Sequence, residues 1–147
     1  MPYCRDFIIA AEAMLLALPV EIGLRFLALD VLVAKLGSTR GHRDRLRQVD
    51  VQRAAHVIER ISVYYPLRAT CLKKSLVLFR ILRARGIPAD LRLGVRKVHD
   101  DLNAHAWIEC QGHALLGDGI EHLYSTLPLA SRATGHNLRH EGADSLR

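Results

Sequence analysis

The spacing of hydrophobic positions divides this chain into a helical first half and a mixed second half. Residues 7–36 are apolar at most positions. Pro19 splits them into two expected helices, because proline lacks a backbone donor and suits a first turn. In the second of these, Glu21 and Arg25 stand at i, i+4 spacing and form a favourable pair. The run 37–44, GSTRGHRD, reads as a polar linker. Asp44 caps an expected helix reaching about Val63, with Ala54, Val57, Ile58 and Ile61 as its inward stripe. A further helix starts at Thr70, its N-cap, and buries Leu72, Leu76, Phe79 and Leu82. Arg83 and Arg85 suit its negative end, and Gly86 followed by Pro88 stops it.

The period then changes to two. Leu91, Leu93 and Val95 alternate with Arg92, Gly94 and Arg96, the pattern of a strand. After a turn around Asp100–Asn103 come a second strand, AHAWIEC, the pair Gln111–Gly112, and a third strand, HALLGD, ending at Asp118. The tail beyond Leu129 has little apolar content and is expected to be loose. The expected organisation is an N-terminal helical region (1–60), an α+β core (61–130) and a flexible tail (131–147).

Composition narrows the class. Half of the 147 residues are hydrophobic and 24% are charged, as in a globular domain. Aromatics are only 5%, which disfavours a stacking platform for single-stranded nucleic acid. The net charge of +6 favours acidic partners without naming one. Arg40, Arg43, Arg45 and Arg47 cluster, but with no interleaved aromatics they read as a solvated face, and no nucleic-acid partner is expected. Three cysteines without a CxxC pair argue against a disulfide scaffold or zinc knuckle and suit a reduced, cytoplasmic setting. Glu12 and Glu21 interrupt the N-terminal apolar stretch, so it is not read as a secretory signal. Its longest uncharged run, Ala13–Val20, is well short of the roughly 20 residues that span a bilayer. The N-terminal helices are therefore expected to pack on the core, with docking to a partner protein or a membrane as the sharper reading.

Chemistry concentrates at three positions. Cys71 stands in the first turn of an expected helix, beside Arg68, Lys73 and Lys74. The free N–H groups and positive dipole end of such a turn, and adjacent cations, favour the nucleophilic thiolate. A cysteine nucleophile needs a base, and His105 is the best placed of eight histidines. On its strand it shares a face with Trp107 and Glu109. If Gln111–Gly112 forms a two-residue hairpin loop, Cys110 pairs with His113 and Asp118 falls opposite His105, where a carboxylate orients an imidazole. Each of these residues alone also has a structural reading: a buried thiol, a sheet histidine, a turn aspartate. No compact metal motif, phosphate loop or dinucleotide fingerprint is present; His99, His105, His113 and Cys110 lack metal-ligand spacing, so neither metal nor cofactor is expected.

At these residues the chain resembles a known family. The runs TCLKKSLVLFRILRARGIPADLRLGV and NAHAWIECQGHALLGD are similar to the transglutaminase-like, papain-like cysteine protease domain of lasso-peptide maturation proteins of the leader-peptidase type. The shared motifs are a Cys-Leu pair opening a helix, a Gly-Ile-Pro stop, a Gly-Val strand, and His-Ala-Trp followed by an acidic residue, over roughly residues 60–130. The resemblance implies Cys71 as nucleophile, His105 as base and Asp118 as acid, with Glu109 and Glu121 as alternatives for the last. It implies removal of the leader from a ribosomally made precursor peptide before macrolactam formation. The implied partners are that precursor, a separate leader-recognition protein and an asparagine-synthetase-like cyclase. Two rival classes stay open: a transglutaminase-fold acyltransferase and a non-catalytic peptide-binding scaffold.

Overall fold

The computed structural model describes residues 3–38, 51–64, 70–117 and 119–128. Four helices precede and flank a four-stranded sheet: α1 (Tyr3–Phe26), α2 (Leu29–Gly37), α3 (Val51–Ser62), α4 (Cys71–Ala84), β1 (Asp90–Val98), β2 (Asp101–Cys110), β3 (His113–Leu115) and β4 (Ser125–Leu127). The arginine cluster at 40–47, the tail beyond Leu129 and Asp118 lie outside the described residues.

The amphipathic pattern places α4 at the centre. Leu76, Leu78, Ile81 and Leu82 are fully buried, between Ile9, Ala13 and Val20 of α1, Ala54 and Ile58 of α3, and the sheet residues Leu91, Ile108 and Leu115. Thr70 caps α4, its hydroxyl accepting from the Lys73 N–H at 3.4 Å. At the other end Gly86 adopts φ 71°, while its own N–H and that of Ile87 close on the carbonyls of Arg83 and Leu82. Both ends agree with the sequence pattern.

The first helix does not. It runs unbroken through Pro19, and the chain turns instead at Leu27–Ala28. Pro19 lies on the exposed side of α1, so water can reach the Leu15 carbonyl that a proline leaves without its helical donor. The turn falls where α2 folds back on α1 at Gly23: a Cβ there would stand 2.6 Å from Leu32 Cδ1, so any larger residue would displace the Leu32 side chain. The resulting helix, over Asp6–Phe26, is long and apolar enough to cross a membrane by length and composition, although its longest uncharged run alone is not. The third helix begins at Val51, with the expected stretch from Asp44 to Asp50 outside the described residues.

The sheet is antiparallel, ordered β3-β2-β1-β4. The β1–β2 turn is tighter than the sequence suggests: Val98 pairs with Asp101, leaving His99 and Asp100 as the loop, with His99 at φ 56°. The expected β2–β3 register holds, Cys110 with His113 and Ile108 with Leu115, around positive-φ Gln111 and Gly112. The strand itself is shorter than expected. Leu116 turns at φ 62°, so β3 stops at Leu115 and its ladder never reaches the position opposite His105. After a short 3-10 helix, Glu121–Leu123, the unexpected strand β4 closes the other edge, with Gly94 opposite Thr126.

Candidate active site

Cys71 is the first residue of α4, partly exposed, with a free thiol. Thr70 takes up the N–H groups of Lys73 and Lys74, so those of Cys71 and Leu72, ahead of them, have no helical acceptor. Of the cations expected beside the thiol, Lys73 pairs with Glu21 of α1, and Arg68 lies outside the described residues. The second described thiol differs. Cys110 is buried, donates to the Pro88 carbonyl at 3.2 Å, and has its ionisation pushed up by burial and then by Asp90.

One turn beyond Cys71, Ser75 is completely buried and donates its hydroxyl to the Ala106 carbonyl at 3.1 Å. The pairings explain why that carbonyl needs a donor. With two-residue loops at both ends of β2, its odd-numbered residues bond to β1 and its even-numbered ones face the other edge. Since β3 ends at Leu115, Ala106 has no strand partner on that edge, and Ser75 fills the place. The first turns of α4 are thereby fixed to β2 at the residue next to His105.

His105 pairs across the sheet with Gly94. Its imidazole stacks on Trp107, with centroids 6.2 Å apart, and tilts against Tyr124 at 5.5 Å. Gly94 creates the room: a Cβ there would come within 2.6 Å of Tyr124 Cβ and 2.9 Å of the Trp107 ring. The Arg96 guanidinium lies over the Tyr124 ring, 5.2 Å from its centroid. His105 Nε2 is buried with no hydrogen-bond partner among the described residues, so Cys71 is not bonded to it. A buried imidazole nitrogen of this kind calls for a polar partner.

Of the acidic candidates, Glu109 is committed elsewhere, accepting from Arg92 Nε at 2.8 Å. Glu121 folds against Gly117, where any Cβ would collide with its carboxylate. Among the described residues no group of histidine, cysteine and acidic side chains has a metal-binding arrangement. Ser75, Gly94, Arg96 and Tyr124 were not singled out as site residues by the sequence reading. A serine in the apolar stripe of α4 and a glycine inside a strand are nonetheless signals of a buried bond and a close approach.

Comparison with known families matches residues 14–128 to the Transglutaminase-like superfamily, from within α1 to the residue after β4. No curated protein and no solved structure matches the chain. The match spans most of the chain and carries with it the α+β architecture of helices on an antiparallel sheet. The chain belongs to the transglutaminase-like superfamily, whose members are generally cysteine proteases and acyltransferases.

Proposed function

We propose that this protein is a cysteine peptidase that removes the leader from a lasso-peptide precursor before macrolactam formation. The observation that carries the reading is the Ser75–Ala106 bond, which holds the helix start bearing Cys71 against the strand bearing His105. In the proposed reaction the Cys71 thiolate attacks the scissile carbonyl, and the backbone N–H of Cys71 donates to the resulting oxyanion. His105 delivers a proton to the departing amine, which becomes the new N-terminus of the core peptide. His105 then takes a proton from water, which hydrolyses the thioester and releases the leader as a carboxylic acid. Asp118 is assigned to the orphaned Nε2 of His105, as the acceptor that fixes the ring and stabilises its protonated form. The reaction is placed in the cytoplasm, with a separate leader-recognition protein delivering the precursor and an asparagine-synthetase-like cyclase consuming the freed amine.

The test is mass spectrometry of precursor incubated with the full chain and the recognition protein. Cys71→Ala should abolish release of leader acid, Cys110→Ala should retain it, and Asp118→Asn should slow it far more than Glu121→Gln. Undiminished cleavage by the Cys71→Ala protein overturns the proposal. Leader amide formed with an added amine, in place of leader acid, assigns the chain to the acyltransferases.

A further inference from the structure

Helix α1 is apolar on two sides: Ile9, Ala13 and Val20 are buried in the core, and a second set of apolar side chains faces outward. Its three acidic side chains bind cations of the body of the protein: Asp6 accepts from Arg53 of α3 at 2.7 Å, Glu12 from Arg85 just past α4 at 2.7 Å, and Glu21 pairs with Lys73 of α4. The Arg53 guanidinium holds the Asp6 carboxyl below its usual range. The opposite side carries no acidic group. There Phe7, Met14, Leu15, Leu18, Ile22 and Phe26 are exposed along a helix about 36 Å long. Leu15 is 78% exposed and Phe26 80%. An apolar stripe of this length exceeds what a monomer ordinarily leaves in water.

We propose that the outer face of α1 docks on an anionic lipid surface, lying in the plane of the bilayer at headgroup depth. Three observations favour lipid over a shaped protein partner. The exposed apolar side chains lie along one unbroken helix, so a single apolar layer can cover them together. Cations stand near both ends of the helix, with exposed Arg25 beside Phe26, although 3.9 Å from Glu21, and exposed His56 and Arg60 of α3 near Asp6, where they can meet lipid phosphates. The chain as a whole carries a net charge of +6. Spanning is disfavoured by the same helix. Its inner side is tied to the protein by ion pairs, and Pro19 leaves the Leu15 carbonyl without a helical donor on the outer side, tolerable among wet headgroups but costly in hydrocarbon.

Flotation of the full chain with vesicles of phosphatidylglycerol and phosphatidylcholine tests this independently of any cleavage. The protein should float with the mixed vesicles, remain mostly behind with pure phosphatidylcholine, and be released by raised salt. Replacing two exposed apolar side chains in Leu15→Glu/Leu18→Glu should weaken flotation by roughly tenfold or more while the circular dichroism stays unchanged. Should that variant misfold, Phe26→Trp supplies a second readout, a blue shift of emission with anionic vesicles. Several results overturn the proposal: no flotation of the unaltered protein, flotation undiminished in the folded double variant, or no shift for Phe26→Trp. A stripe-dependent dimer or soluble protein complex without vesicle binding overturns it equally.

Discussion

At the scale of single residues, the site depends on a side chain that is missing. Gly94 gives way to Trp107 and Tyr124, and the two rings hold the imidazole of His105 between them. Gly94→Ala inserts a methyl group where no atom fits, and overpacking of this kind costs about 1–3 kcal/mol. Thermal melts should show that loss, and cleavage should fall further than stability alone explains, because Tyr124 must move away from the imidazole. An unchanged melting temperature would mean that the three rings rearrange freely. At this scale the sequence was legible for residues whose role follows from their own element. Thr70 caps, Gly86 stops, and the Glu21–Arg25 pair forms at 3.9 Å. It was silent where the role is set by a distant segment: Tyr124 reaches Gly94 across 30 positions of chain, which no local pattern encodes.

At the scale of elements, the decisive joint is between α4 and β2. Ser75→Ala deletes one hydroxyl and leaves the Ala106 carbonyl buried without its donor, at a cost of about 1–3 kcal/mol. Urea melts should report that loss. If the bond also sets the place of Cys71, alkylation of Cys71 and peptide turnover should change together, whereas loss of stability alone would mark the serine as structural. Element types followed from periodicity in this region, although α4 proves buried nearly all round, with Val77, Leu78 and Ile81 joining the expected stripe. Element ends were harder. Pro19 reads as a break, yet an exposed proline inside a helix otherwise anchored on the core costs less than undocking it. The third strand reads on to Asp118 because Leu116 is apolar. The positive φ at Leu116 goes against the preference of a leucine and is imposed by the surrounding fold.

At the scale of the whole molecule, the helices are part of the core that supports the site, because α1, α2 and α3 all contribute to the cluster around α4. The same α1 that closes the core presents its stripe outward, which the sequence foreshadowed as two readings without deciding between them. The short β3 has a consequence for the motions of the sheet. Before Ile108, β2 is held as a ladder on one side only, and its amides alternate between β1 and an edge without a described strand partner. Hydrogen exchange should therefore divide a single strand into two populations, with the amides of Asn103, His105 and Trp107 protected by β1 and those of Leu102 and Ala104 exchanging rapidly. Added precursor should slow the second population selectively if an extended peptide lies along that edge, and equal protection of both in the free protein would show the edge already covered.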